Sequence, residues 1–313
     1  MKFPTLKLAA LAAAGALFAA PAVFAADNTS MEGQGRAVVT VVHGQELPRG
    51  ISQQALQLKV DGKESNITSW SPLGPQSKIE LVVLIDDGAR SSLGTQLSDI
   101  AKFIGSLPPN AKVAVAYMIN GRAAFTSPLS NDRAAVERQL HLPLAGAAGI
   151  SASPYFCLSD LAKNWPSRDA QARREVVMVT DGVDNYNRRY DPNDPYVQAA
   201  IDDSVRAHLI VYSVYWTSSG RFDRTMYGSN DGQNLLAQVA EATGGNSYWQ
   251  GFGNPVSFQP YFEDINQRLE NQYEIDFMAP LGSKPQMESL RLKVNAPAKV
   301  EAPQQVYVNA AGE

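Results

Sequence analysis

Residues 79–92 read IELVVLIDDGARSS, a short, largely apolar run that leads directly into two aspartates, a glycine, an arginine and two serines. A run of this length that is apolar on both faces is typical of a strand buried inside a parallel sheet. Three further runs share the pattern, namely KVAVAYMI (112–119), REVVMVT (174–180) and HLIVYSVYW (208–216). Stretches with helical periodicity separate them. The sequence therefore predicts an α/β fold with a doubly wound, mostly parallel sheet and helices on both faces.

The segments between these runs supply the predicted helices and one edge strand. The helix candidates are 93–106, 131–140, 155–165, 195–207, 231–242 and 258–272. Asn120-Gly121, followed by RAAF, is typical of a tight hairpin and adds one antiparallel strand at the sheet edge.

Segments with β-strand character flank this region on both sides. We expect an N-terminal β segment at 36–77, the α/β domain at 78–272 and a C-terminal β segment at 273–313. Neither flank has enough strands for an independent core. The two flanks are therefore expected to pair with each other into one small β-sandwich.

The N-terminal 25 residues, MKFPTLKLAALAAAGALFAAPAVFA, have the features of a signal peptide. Two lysines precede an Ala/Leu-rich run, and small residues precede a cleavage point after Ala25. Residues 26–35 then read as a flexible leader. We expect an exported protein, periplasmic or extracellular, with no membrane span after cleavage; an uncleaved membrane anchor is the alternative.

Composition limits the classes of partner and of chemistry. The formal charge of −4 gives no electrostatic footprint for nucleic acid. Cys157 is the single cysteine, so no internal disulfide can form, and its apolar neighbours predict a buried, inert thiol. His43, His141 and His208 lie far apart in the sequence and beside no nucleophile motif, so we expect no enzymatic activity.

Two of the predicted strands end in aspartate, Asp86 in VVLID and Asp181 in VTDG. Ligands of open parallel sheets bind beyond the carboxyl ends of the strands. If these two strands are neighbours, the two carboxylates face each other and require a positive charge between them. A divalent cation such as Mg²⁺ is one candidate for that charge.

The order of elements, the two strand-end aspartates and the edge hairpin resemble a von Willebrand factor type A domain over about residues 79–272. The resemblance implies a metal ion-dependent adhesion site built on Asp-x-Ser-x-Ser, a threonine from a later loop and a second aspartate. Asp86 and Asp181 match the two aspartates. The serine positions fall on Gly88 and Arg90, and the later loop offers Ser151 or Ser153.

Arg90 leaves two interpretations of this site open. A guanidinium folded over Asp86 or Asp181 neutralises them without a metal, which favours a degenerate site and no cofactor. A bound divalent cation would instead use Asp86, Asp181 and Ser151. A register shifted by one residue places Asp87 first, Ala89 second and Ser91 last, but it moves Asp86 into the strand.

A second acidic stretch, DGVDNYNRRYDPNDPY (181–196), follows the second strand-end aspartate. Its spacing does not match a calcium loop, so it is interpreted as a solvated surface loop. It also supplies tyrosines of the kind that anchor protein interfaces. The predicted ligand-binding residues are Asp86, Asp87, Arg90, Ser91, Ser151, Ser153 and Asp181, with Tyr186 and Tyr190 on the rim.

These observations together predict a secreted, non-enzymatic binding or adhesion module that captures another protein at the carboxyl end of its sheet. A cell-envelope structural or assembly protein, with no ligand at the degenerate site and with contacts made by the β flanks, is the alternative. An exported hydrolase is the third hypothesis, because a catalytic triad can assemble from distant residues. The oligomeric state is left open.

Overall fold

The computed structural model describes residues 32–42, 50–74, 76–144, 153–184, 186–187, 189–217, 226–251, 253–280 and 285–310, with the backbone alone at 90, 91, 226 and 227. The predicted signal peptide, the leader up to residue 31 and Ser151 lie outside the described residues, as do the side chains of Arg90 and Ser91.

A six-stranded mixed sheet forms the centre of the α/β domain. Its strands are β4 (Ile79–Asp86), β5 (Ala111–Ile119), β6 (Arg122–Phe125), β7 (Arg173–Thr180), β8 (Leu209–Tyr215) and β9 (Ser247–Tyr248). The strand order is β6-β5-β4-β7-β8-β9. All neighbouring pairs are parallel except β5–β6, as expected of the Asn120-Gly121 hairpin. Both turn residues have positive φ, at 48° and 77°, which the hairpin requires.

Helices cover both faces of this sheet. They are α1 (Leu97–Ser106), α2 (Arg133–Glu137), α3 (Pro154–Lys163), α4 (Pro195–Arg206), α5 (Met226–Thr243) and α6 (Gln259–Glu270). One apolar core lies between the sheet and α1 and α6, and the other lies under α3, α4 and α5. Every residue of β4 is buried because the strand contributes to both cores.

The first predicted helix begins differently from expectation. A 3₁₀ helix at Asp87–Gln96 directly follows β4, and α1 starts only at Leu97. The reason is local: the Asp86 side chain accepts a hydrogen bond from Gly88 N and caps the 3₁₀ helix.

The two flanks pair with each other, but they form a closed antiparallel barrel and not the predicted sandwich. The strands are β1 (Glu32–Val42), β2 (Leu56–Val60), β3 (Lys63–Pro72), β10 (Gln272–Pro280), β11 (Gln286–Val294), β12 (Lys299–Glu301) and β13 (Gln305–Ala310). Their order is β10-β3-β2-β11-β13-β1-β12, and an additional β10–β1 pairing closes the ring. Closure follows from β1, in which residues 32–40 pair with β10 on one side, while residues 33–34 pair with β13 and residues 40–42 with β12 on the other.

The start of β1 also corrects the predicted leader. Residues 32–35 belong to the strand, where they pair with Phe277–Pro280 of β10. Gly35 is required there, because a Cβ at this position would overlap the Phe277 ring inside the barrel. Gly35 therefore serves close packing inside the barrel. Within the described residues, no helix is both long and apolar enough to cross a membrane.

Candidate functional site

The two strands that end in aspartate are neighbours, so Asp86 and Asp181 both lie at the carboxyl end of the sheet. β4 and β7 are parallel neighbours, with Ile85 opposite Val179. Asp86 therefore ends its strand next to Thr180, and Asp181 follows immediately. Both carboxylates are buried, at 2% and 5% exposed. The candidate site at this end of the sheet is therefore lined by two buried carboxylates.

The backbone and a neighbouring hydroxyl hold the carboxylate of Asp86. Gly88 N donates to Oδ1 at 2.8 Å, and Thr180 Oγ1 donates to Oδ2 at 2.7 Å. Gly182 N in turn donates to Thr180 Oγ1 at 3.2 Å. Asp86 therefore ties the turn after β4 to the turn after β7.

Thr180 is a site residue that the sequence interpretation missed. The only signal for it was its place directly before Asp181, one strand away from Asp86. The hydroxyl next to Asp86 was instead expected from the later loop, at Ser151 or Ser153.

The turn at Asp181 is fixed by close packing against α5. The Asp181 carboxylate accepts from Val183 N at 3.0 Å. Gly182 has φ +69°, and a Cβ there would lie 2.5 Å from the Gly232 carbonyl oxygen. From the other side, Tyr155 Oη donates to the Gly182 carbonyl at 2.8 Å. The glycine of the TDG motif therefore allows the backbone of α5 to cross directly over the strand end.

The side chains described at this position provide fewer hydroxyl and carboxylate ligands than a von Willebrand factor type A metal site uses. Gly88 stands at the first serine position, and its N–H donates to Asp86. Among the residues whose positions are described, no group of three or more His, Cys, Asp or Glu side chains is arranged to hold a metal ion. A metal at Asp86, Asp181 and Ser151 stays a prediction.

Ser153 lies beside a different carboxylate, that of Asp184. Asp184 is 4% exposed, and burial raises the pKa of its carboxyl. The N–H groups of Tyr186 and Asn187 and the nearby Ser153 hydroxyl partly offset this rise in the Asp184 pKa. Ser153 Oγ and Asp184 Oδ2 are both buried, and neither has a partner within hydrogen-bond distance and angle among the described residues. The Tyr186 bond measures 2.8 Å.

The acidic stretch after β7 is a partly buried structural turn, and the interpretation as a solvated loop was wrong for two of its acids. Asp184 and Asp194 are both buried. Asp194 caps α4 by accepting from Tyr196 N at 2.8 Å and from Val197 N at 3.2 Å. Asp191 is exposed, as expected. Periodicity could not reveal the buried pair, because their partners are backbone N–H groups.

Three aromatic rings cluster beside this turn. Phe156, in the first turn of α3, lies 5.3 Å from Tyr186 and 5.0 Å from Tyr196 between ring centroids. The two tyrosine rings are 5.1 Å apart and nearly perpendicular. Tyr186 and Tyr196 are 49% and 39% exposed, and the predicted rim residue Tyr190 is 40% exposed. Tyr196 therefore joins the predicted rim.

Among the described residues, every exposed large hydrophobic side chain lies at the carboxyl end of the sheet. We call this set the carboxyl-end face: Ile119, Leu142, Leu144, Tyr186, Tyr190, Tyr196, Trp249 and Val256. Ile119 ends β5 and Trp249 follows β9. The three tyrosines lie in the β7–α4 connection or in the first turn of α4.

The other three residues of the face are placed by contacts around the 3₁₀ helix after β4. A Cβ at Gly94 would lie 3.1 Å from a Leu142 methyl group, and Leu144 follows two residues later. The Val256 carbonyl accepts from Gln96 Nε2 at 3.1 Å. Asp87, another predicted ligand-binding residue, begins this 3₁₀ helix and is partly buried.

Solved structures similar to this chain include an aerotolerance-related membrane protein from Bacteroides fragilis NCTC 9343, with 15% identity and a TM-score of 0.44 over 61% of this chain and 98% of that one. Proximal thread matrix protein 1 from the mussel byssus, with a zinc-occupied MIDAS motif, has 12% identity and a TM-score of 0.44 over 66% of this chain and 49% of that one. The SpRpn10 VWA domain has 11% identity and a TM-score of 0.37 over 58% of this chain and 97% of that one.

Neither a protein-family model nor a curated protein matches the chain. The similar solved structures have TM-scores below 0.5 and assign this chain no ligand and no function. The fold is assigned from the topology of the chain itself. Its sheet has five parallel strands and one antiparallel edge strand, with two aspartates at the ends of neighbouring strands. The α/β domain of this protein has a von Willebrand factor type A-like fold.

Proposed function

We propose that this is an exported, non-enzymatic binding protein whose carboxyl-end face captures another protein. The observation that carries the proposal is the distribution of exposed apolar side chains. All eight that the described residues contain belong to this one face. Scattered exposed hydrophobics are normal on a soluble protein, whereas their concentration at one end is typical of an interaction surface.

The barrel offers no comparable surface within its described residues. None of its described large hydrophobic side chains is exposed, and the β1–β10 pairing closes the ring of strands. Closed barrels have few free strand edges with which to recruit a partner. This observation favours the carboxyl-end face over the alternative in which the β flanks make the contacts.

The tyrosine pair Tyr186 and Tyr196 is the expected anchor of the interface. Tyrosine provides a large contact area at low cost in side-chain entropy, and such residues dominate the energetics of many interfaces. Phe156 contacts both rings, Tyr196 edge-on and Tyr186 at an interplanar angle of 56°. The pair is therefore held in place before a partner arrives, which reduces the entropy lost on binding.

Asp86 is a poor probe of this function, although it lies at the centre of the site. Its two carboxylate oxygens accept bonds that connect the turns after β4 and β7. Replacement by alanine would therefore weaken the fold and the binding surface together. Substitutions at exposed residues of the carboxyl-end face change the binding surface without removing these bonds, so they separate an effect on binding from an effect on folding.

The proposal is tested by photo-crosslinking from single positions in the full chain in its native host. A photoreactive phenylalanine at Tyr186 or Leu144 should give one discrete crosslinked protein. The matched control is Glu64 on the barrel, whose side chain is 70% exposed. Replacing Tyr196 by serine should weaken the crosslink at position 144, because loss of an interface anchor costs about 2 kcal/mol, or about thirtyfold in affinity.

Crosslinks that form from position 64 and not from the two face positions would contradict the proposal and support the barrel as the contact surface. Turnover of an ester or peptide substrate that depends on a serine would contradict the non-enzymatic part. Calorimetry with the crosslinked protein, once identified, then provides the affinity for each variant.

A further inference from the structure

A second candidate site lies at the opposite end of the sheet, where the α/β domain meets the barrel wall. A cavity of about 290 Å³ opens between the first residues of β7 and β8, the end of α4, and strands β1, β10 and β13. We call it the junction cavity. Its volume is near the lower limit for pockets that hold small molecules.

Basic side chains predominate among the charged residues that line the junction cavity. Arg36, Arg173 and Arg174 line it together with one acid, Glu274, so the lining carries a formal charge of 3 − 1 = +2. His208 also lines the cavity, and its ring is exposed to it. Burial lowers the pKa of His208, and Arg36 and Arg174 lower it further. These three groups therefore face a common space.

The three arginines differ in how well they are paired. Arg36 is 2.8 Å from Asp276 and 3.7 Å from Glu274. Arg173 is buried and donates to the Leu269 carbonyl at 2.9 Å. Both guanidinium groups therefore have structural roles.

Arg174 has the longest hydrogen bonds of the three, although Arg173 Nε is buried without a hydrogen-bond partner among the described residues. In the part of the chain that the structure describes, Arg174 forms no salt bridge, and its hydrogen bonds to the Ala207 and Ser167 carbonyls are long, at 3.3 and 3.5 Å. Its cross-strand neighbour Glu80 accepts instead from Trp165 Nε1 at 2.8 Å. The guanidinium lies 5.7 Å from the Trp165 ring centroid. A partly buried guanidinium in this state has donors available for a carboxylate.

The backbone at His208 supports a functional role for the cavity. His208 has φ +54°, a left-handed conformation that costs a non-glycine residue about 1 kcal/mol. Glycine or asparagine would adopt it at lower cost. At this position the imidazole lines the junction cavity together with Arg36 and Arg174.

The remaining lining is largely apolar and includes Leu73, Val205 and Val306. An inorganic ion would leave these surfaces without a partner. We propose that the junction cavity binds a small organic anion, with its carboxylate on Arg174 and His208 and its apolar body against the barrel wall. This inference is independent of the protein captured at the carboxyl-end face.

The test uses the mature protein and benzoate as the probe, with benzamide and inorganic phosphate as matched probes that lack the charge or the apolar body. Ring resonances of His208, assigned with the His208→Asn variant, report on the cavity by NMR. Benzoate should shift them saturably and raise the pKa of the ring, whereas benzamide and phosphate should not reach saturation in the same range.

Replacing Arg174 by glutamine should weaken benzoate binding about tenfold or more, as expected for loss of a charge-assisted hydrogen bond. Arg122→Gln, an exposed arginine on edge strand β6, is the matched control and should bind as the wild type does. If Arg174→Gln fails to fold, His208→Asn provides a second variant, because asparagine accepts the left-handed backbone. Its benzoate affinity, measured by calorimetry, should fall severalfold.

Three results would overturn the proposal. Absence of saturable benzoate binding, or unchanged binding in both cavity variants, would remove the site. Equal binding of benzamide would show an apolar void with no anion preference. Equal binding of phosphate would show an inorganic ion site with no role for the apolar wall.

Discussion

Replacing Thr180 by valine keeps the β-branched shape of the side chain and removes the hydroxyl that donates to Asp86. The bond measures 2.7 Å, and Thr180 and Asp86 are 0% and 2% exposed. A hydrogen bond to a charged group contributes about 1.5–3 kcal/mol, and the same hydroxyl accepts from Gly182 N. The free energy of unfolding should therefore fall by about 2–4 kcal/mol.

Urea unfolding of the mature protein, followed by circular dichroism, measures this change. The matched control is Thr126→Val, because Thr126 Oγ1 donates to the neutral carbonyl of Val115 at 3.1 Å. That substitution should cost about 1 kcal/mol or less. The control gives the cost of losing a partly buried threonine hydroxyl that donates to a neutral carbonyl, and the Asp86→Asn background isolates the effect of the charge on the acceptor.

The Asp86→Asn background tests the stated cause. With a neutral acceptor, the cost of Thr180→Val should fall to about 1 kcal/mol, so the double-mutant cycle should show a coupling of about 1 kcal/mol or more. If Thr180→Val costs no more than Thr126→Val in the wild-type background, the hydrogen bond does not hold the two turns together and the reasoning fails.

Four further outcomes are expected. Burial raises the pKa of Glu175 from its ordinary value of 4.5 to about 7, so between these pH values the folded state retains a proton that the unfolded chain releases. The free energy of unfolding should therefore fall by about 3 kcal/mol as pH rises through this range. Urea titrations at about pH 5 and about pH 8 measure the fall, and Glu175→Gln should remove it. Calorimetric titration with Mg²⁺ or Mn²⁺ should show no saturable binding to the mature protein, and a saturable signal that Asp181→Ala abolishes would contradict the metal-free interpretation. Gly182→Ala should cost about 2 kcal/mol or more, because φ is +69° and the new Cβ would meet a carbonyl of α5; a loss under about 0.5 kcal/mol would refute this explanation. Mass spectrometry of the exported protein should find Ala26 at its N-terminus, and retention of the first 25 residues would disprove cleavage.

The sheet was predictable because its strands are buried on both faces. Such strands leave continuous apolar runs, and the runs that end in Asp86 and Asp181 are neighbouring strands of the sheet, with Ile85 opposite Val179. The edge hairpin was equally readable, since Asn120 and Gly121 accept the backbone angles that a two-residue turn needs.

The remainder of the site depends on contacts that local patterns do not encode. Thr180 contacts Asp86 only because β7 lies beside β4. The buried carboxylate of Asp184 accepts a hydrogen bond from a backbone N–H group, which almost any residue can supply, so the sequence gives no signal for it. The tyrosine pair was half predicted: Tyr186 was placed on the rim, whereas Tyr196, in the same acidic stretch, was not included among the predicted rim residues. Pairing of the two flanks was predicted, but barrel closure was missed because it depends on β1 pairing with β10 on one side and with β12 and β13 on the other, which no local pattern encodes.

The β1–β10 pairing also determines the order in which parts of the protein can fold. Val39 of β1 is synthesised early, yet its partner Tyr273 in β10 emerges more than two hundred residues later. Contacts of such long separation form slowly, because the intervening chain loses much of its freedom before they can be made. If the α/β domain folds first, it reduces the length of flexible chain that must be closed before β1 and β10 can pair. The chain enters the domain after Pro72 and leaves it before Tyr273, and these two residues are paired neighbours. Nascent chains that end before β10 should keep β1 unpaired and accessible to chaperones.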